Sequence, residues 1–231
     1  LFREIPMNKV KNFFQKKDVV FSGRRYGIDA LSAMAQGLFC TLLVGTILNT
    51  LGTQFHIGFL EEVLVTVGGS EAIDMAIRAI TEPGDEILTF APFFPEYHPY
   101  VDLTGAVLKV VPPDTACFQI NFEAFEEMIT EKTMAILVNS PNNPSGVVYS
   151  TETVKKLAQV LTKKSEEYGH DIFLISDEPY REIIFEDVDA PCMSKFYDNT
   201  IMCYSFSKSL SVPGERIGYV AINPACEQAA T

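Results

Sequence analysis

From Glu61 onward the sequence alternates between two hydrophobic periods. Short β-branched or apolar runs read as buried strands: Val63–Val67, Glu86–Phe90, Val107–Val111, Met134–Asn139, Asp171–Ser176, Ile201–Tyr204 and Ile217–Ile222. Between them lie Ser70–Ile80, Phe122–Ile129 and Thr151–Tyr168, whose apolar residues recur three and four apart and predict helices with one buried face. Gly68-Gly69, Pro83-Gly84 and Pro112-Pro113-Asp114 punctuate the series. Strands alternating with helices predict an α/β fold with a mostly parallel central sheet, because each crossover helix must bury its apolar stripe on the sheet. Helices then cover both faces, and ligands bind in the loops after the strand ends.

Composition narrows the function classes. A chain of 231 residues, 47% hydrophobic and 21% charged, is long enough to bury a core and too apolar to stay disordered. Its net charge of −12 disfavours nucleic acid and anionic membranes as partners. Residues 1–25 run against that balance, with seven basic and two acidic side chains, and read as a solvated basic arm. Five dispersed cysteines without a C-x-x-C pair predict reduced thiols and a cytoplasmic setting. His56, His98 and His170 lack metal-ligand spacing. The apolar stretch from Gly37 to Leu51 is shorter than a membrane span and is broken by Gly, Thr and Asn, so it reads as a buried helix. Residues 1–60 are otherwise read only as helical.

The strand-end loops carry the chemistry. Val67-Gly-Gly-Ser-Glu-Ala72 joins a strand to a helix start, where exposed N–H groups and the helix dipole favour an anion; a plain Gly-Gly turn capped by Ser70 accounts for it equally. Phe93 and Phe94, between two prolines, offer either a stacking face or core packing. Ser140-Pro-Asn-Asn-Pro-Ser-Gly146 is turn chemistry with more amide side chain than a turn needs. Asp177 ends an apolar strand, where a carboxylate needs a cation or a protonated ring nitrogen. Lys208 follows another strand, eight residues before Arg216; it is either a solvated cation or an amine nucleophile. An anion cradle, a stacking ring, an acid and a lysine amine are together what pyridoxal 5′-phosphate (PLP) requires of a protein.

At these residues the chain resembles the PLP-dependent aminotransferases of class I/II, which share the aspartate aminotransferase fold. The resemblance runs from about Glu61 to Pro224. It rests on Val-Thr-Val-Gly-Gly-Ser-Glu-Ala, Asn-Ser-Pro-Asn-Asn-Pro-Ser-Gly, Ser-Asp-Glu-Pro-Tyr and Ser-Phe-Ser-Lys-Ser-Leu-Ser-Val-Pro-Gly-Glu-Arg-Ile-Gly, in that order. It implies that Lys208 holds PLP as an internal aldimine and then shuttles the proton. Asp177 would pair with the ring nitrogen, and Tyr180 and Asn143 would bind the phenolic oxygen. Phe94 would stack on the ring, while Gly69, Ser70, Glu71, Ser205 and Arg216 would hold the phosphate, the first three largely through backbone N–H groups. The implied reaction moves an amino group between an amino acid and a 2-oxo acid in two half-reactions, with ping-pong kinetics.

Two departures are expected to matter. Family members continue past the Arg-Ile-Gly strand into a small domain that supplies a carboxylate-binding arginine, and this sequence stops at Thr231. The organisation expected is therefore residues 1–60 as a poorly matched N-terminal region, 61–224 as the PLP-binding large domain, and 225–231 as the start of a truncated continuation. Tyr26-Gly27 only loosely resembles the tyrosine-bearing loop that reaches the partner subunit, so the family's homodimer has little support in residues 1–60. A carbon–sulfur lyase of the same fold and a non-catalytic, truncated PLP-binding protein stay open beside the aminotransferase.

Overall fold

The computed structural model describes residues 63–226 apart from 186 and 187, with scattered helical positions between 32 and 54. The basic arm, Tyr26-Gly27 and most of the expected N-terminal helix lie outside the described residues.

In chain order the elements are β1 (Val63–Thr66), α1 (Gly68–Ile80), β2 (Glu86–Phe90), α2 (Tyr97–Asp102), β3 (Val107–Val111), α3 (Phe122–Met128), β4 (Thr133–Asn139), α4 (Thr151–Tyr168), β5 (Phe173–Asp177), β6 (Thr200–Ser205), α5 (Phe206–Ser209) and β7 (Gly218–Ile222). The strands form one seven-stranded sheet in the order β1-β7-β6-β5-β4-β2-β3. Neighbours from β6 through β3 pair in parallel, and only β7 runs against both of its neighbours. The mostly parallel sheet follows from the crossovers, and β5 is buried along its whole length, as a strand covered on both faces must be.

Alternate side chains feed two cores. One face packs Ala72, Ile73, Ala76 and Ile77 of α1 on Ile87, Leu137, Ile175 and Cys203. The other packs Phe125 of α3 and Val154, Leu157 and Leu161 of α4 on Leu88, Ile136, Val138 and Leu174. Local signals place the helix ends. The Asn121 side chain accepts from the Ala124 N–H at the start of α3. Ser150 does the same for Thr153 at the start of α4, which ends at Gly169 with φ 74°, a left-handed turn that suits glycine. Ser150→Ala is expected to lower stability by about 1 kcal/mol, read as a shift in the urea midpoint at constant slope.

Several element ends shift by one or two residues from the periodic reading, and two short α-helices are added. β5 starts two residues later than expected and extends through Asp177. α2 and α5, six and four residues long, have no counterpart in that reading, because such short helices leave almost no periodicity to detect.

Candidate functional site

In a parallel sheet the carboxyl ends of the strands share one edge. Here that edge gathers the loops after β1, β4, β5 and β6. Because β7 is antiparallel, its beginning lies at the same edge: Gly218 stands in register with both Thr66 and Ser205. That placement brings Arg216, far beyond Asp177 in the chain, to the same cavity of about 280 Å³. Nine of the ten residues singled out from the sequence line it: Gly69, Ser70, Phe94, Asn143, Asp177, Tyr180, Ser205, Lys208 and Arg216. Glu71 does not. Its carboxylate turns back over the helix start to accept the Val67 N–H.

The floor is acidic. Asp177 is buried, and burial pushes its carboxyl up to about 7, against the opposing pull of the Tyr97 hydroxyl. That hydroxyl, itself buried, donates to Asp177 Oδ2 at 2.6 Å. No fully buried side-chain oxygen among the described residues lacks a partner, so the other oxygen, Oδ1, opens onto the cavity. Asn139 links two of the loops: its amide donates to the Asp177 carbonyl at 2.9 Å and its side-chain oxygen accepts the Asn143 N–H at 2.6 Å. Burial raises the Tyr180 phenol, and the neighbouring Asp177 raises it further, while Asn143 pulls it down.

The rim is cationic. Lys208 Nζ stands 5.9 Å from the centroid of the Tyr180 ring. Ser205 caps α5 by accepting the Ser207 N–H. Arg216 adopts φ 53°, uncommon for a residue with a side chain, and its guanidinium donates to the Val67 carbonyl at 3.3 Å. Gly68 gives it room, since a Cβ there would come within 2.7 Å of the guanidinium. Gly69 and Ser70, in the first turn of α1 where N–H groups have no helical partners, line the same cavity. Of the two aromatic candidates, Phe94 lines the cavity, whereas Phe93 stacks on Tyr97 at 6.3 Å between centroids.

These donors fit PLP. An anion meets Arg216, Ser205 and the α1 start. A protonated ring nitrogen would suit the open Asp177 oxygen, and a carbonyl would suit Lys208, the one lysine lining the cavity among the described residues. Tyr97 and Asn139 are contributors that the sequence reading missed. The faint signal for Tyr97 is its place three residues after Phe94 in the same aromatic loop; nothing in the sequence pairs it with Asp177, 80 positions later.

A mostly parallel α/β sheet with a lysine amine, a buried acid and an anion cradle at its strand ends matches the aspartate aminotransferase fold. A family model for aminotransferases of class I and II matches residues 57–231, and the chain belongs to that family. It is 35% identical over 163 residues to the aspartate aminotransferase of Thermotoga maritima, covering 69% of this chain and 42% of that one. It is 34% identical over 161 residues to the aspartate/prephenate aminotransferase of Thermus thermophilus, covering 69% and 40% respectively. An amino transferase structure from Eubacterium rectale superposes with a TM-score of 0.73 at 50% identity, over 74% of this chain and 43% of that one. A Thermus thermophilus aspartate aminotransferase variant superposes with a TM-score of 0.67 at 30% identity, over 80% and 52%. The chain thus spans about 40% of the length of the curated relatives it matches.

Proposed function

We propose that this chain carries the PLP-binding half of an amino-acid aminotransferase, acting between an amino acid and a 2-oxo acid in two half-reactions with ping-pong kinetics. The observation that carries the reading is the convergence of Asp177, Lys208, Arg216 and the α1 start on one cavity from four separate stretches of chain. When bound, PLP supplies a carbonyl for the substrate amine and a ring that takes up negative charge from the substrate Cα. Asp177, through Oδ1, keeps the ring nitrogen protonated, and Tyr97 keeps Asp177 ionised by donating to Oδ2. Lys208 Nζ would hold the cofactor carbonyl, and the same nitrogen would be the base that takes the substrate Cα proton and returns it. Tyr180 and Asn143 bind the ring's phenolic oxygen. Phe94 covers the ring and excludes water. Arg216, Ser205 and the N–H groups of Gly69, Ser70 and Glu71 anchor the phosphate. The four described cysteines are free thiols, which supports the cytoplasm as the compartment.

The test is to add PLP, reduce with borohydride and map the label. The expected result is one PLP mass on the Lys208 peptide and none in Lys208→Arg. Label spread over other lysines, or no label, would overturn the reading. An added amino acid should convert the cofactor to its amine form and release a 2-oxo acid. Pyruvate with free ammonia would point instead to a carbon–sulfur lyase, and an inert cofactor to a binding protein.

A further inference from the structure

Lys208 sits on α5, a helix of one turn between Ser205 and Leu210. A helix that short has little stability of its own, since its nucleus is unfavourable and bonds such as Leu210 N–H to the Phe206 carbonyl offset little of that cost. Something outside the helix must hold it. Ser205 caps the front. The back is held from the other face of the sheet: side chains alternate along β6, so Ser205 points to the cavity and Tyr204 points away.

Tyr204 is buried, and its hydroxyl oxygen lies 2.6 Å from Glu182 Oε2 and 2.8 Å from Ser209 Oγ. A phenol has one proton. It goes to the carboxylate, the stronger acceptor, and the Ser209 hydroxyl donates to the phenol oxygen; burial and Glu182 together push the phenol up to about 12, so it keeps that proton at neutral pH. The Tyr204 ring is wedged against Phe206 and Tyr219, each 5.1 Å away between centroids, so its hydroxyl has little freedom to move. Neither Tyr204, Glu182 nor Ser209 lines the cavity.

We infer that Tyr204, gripped by Glu182, is a positioning residue that pins the Ser209 end of α5 and thereby fixes where the Lys208 amine stands. The consequence for catalysis rests on the reading of Lys208 given above; the pinning itself does not.

Hydrogen exchange on the cofactor-free protein tests the pinning alone. Tyr204→Phe keeps the ring and removes the hydroxyl. Amides of residues 207–211 are then expected to exchange about tenfold faster, the equivalent of one lost hydrogen bond, with those of α4 unchanged. Glu182→Gln still offers an acceptor to Tyr204 and should behave like wild type, whereas Glu182→Ala should resemble Tyr204→Phe. Should Tyr204→Phe loosen the whole sheet, Ser209→Ala breaks the same contact from the helix side and decides the matter. Unchanged exchange at 207–211 in Ser209→Ala would overturn the proposal.

With PLP added, Tyr204→Phe should lower the visible circular dichroism of the bound cofactor at equal occupancy, because the ring is held less uniformly. Equal dichroism would overturn the link to Lys208 placement. If even the wild type gives no band and no Lys208 label, the proposed function fails while the exchange result still stands.

Discussion

Replacing Asp177 by asparagine is expected to make the cofactor-free protein more stable at pH 8 while crippling its hold on the cofactor. Burial raises the Asp177 carboxyl from 3.8 to about 7 in the folded chain. The folded state therefore holds this proton more tightly than the unfolded state. Below about pH 4 both states are protonated and nothing is lost. Between about pH 4 and 7 the unfolded chain ionises first, and stability falls as pH rises. Above pH 7 the full penalty stands, on the order of 4 kcal/mol for a shift of this size. Asparagine has the same shape, still accepts the Tyr97 hydroxyl and carries no charge, so its stability should lack this descent. Urea unfolding at pH 5, 6, 7 and 8 checks it: the wild type should fall relative to the variant by roughly 2.5–3 kcal/mol across that range, and parallel curves would refute the buried charge. Glu178, also raised by burial, is present in both proteins and cancels in the comparison. Tyr97→Phe should steepen the wild-type descent, because the hydrogen bond that favours the ionised form is gone.

Cofactor reverses the sign. A protonated ring nitrogen placed against Oδ1 would pair with the charge that burial penalises. The neutral amide of the Asp177→Asn variant offers no such partner, and breaking a buried pair from one side costs about 3–5 kcal/mol, or roughly 10² to 5 × 10³ in retention of PLP. Equilibrium dialysis of the two proteins against PLP measures this. The same carboxylate that destabilises the fold thus serves the proposed site.

How much of this can be read from the sequence depends on the range of each interaction. Asp177, Lys208 and Asn143 are legible because each stands at, or within four residues after, the end of an apolar run, and a strand end in an α/β sheet is already a site. Phe94 is legible as one of a pair, but the choice over Phe93 needs the backbone: Phe94 reaches the cavity and Phe93 turns onto Tyr97. Tyr97 reads as an aromatic in a loop; its partner lies across the sheet, and no local pattern encodes a contact between elements. The antiparallel course of β7 is equally silent. Its residues are as apolar as those of any parallel strand, and direction follows from the short connection between Ser209 and Gly218, which leaves no room for a crossover helix. Arg216 reaches the site for that reason. The glycines read as turn formers, whereas two of them are needed for contact.

Those two glycines should separate stability from anion binding. A Cβ at Gly218 would lie 2.5 Å from the Tyr204 carbonyl oxygen and 2.8 Å from the Gly68 carbonyl carbon. Both are backbone atoms, in the neighbouring strand and at the start of α1, so neither can swing aside. Gly218→Ala must therefore push β7 away from β6 or lift the α1 start off the sheet, and it is expected to cost about 3 kcal/mol or more. A Cβ at Gly68 meets a different obstacle, the tip of the Arg216 side chain at 2.7 Å, which can move. Gly68→Ala adds the strain of a left-handed residue at φ 79°, about 1–2 kcal/mol, and expels the guanidinium from the anion cradle. The order of destabilisation should be Gly218→Ala above Gly68→Ala in urea midpoints. For the folded fraction, the order of lost affinity for inorganic phosphate should be the reverse, because in Gly68→Ala the sheet survives and the cation that meets the anion is displaced. Equal phosphate affinity in Gly68→Ala and wild type would mean that Arg216 holds the loop and not the ligand.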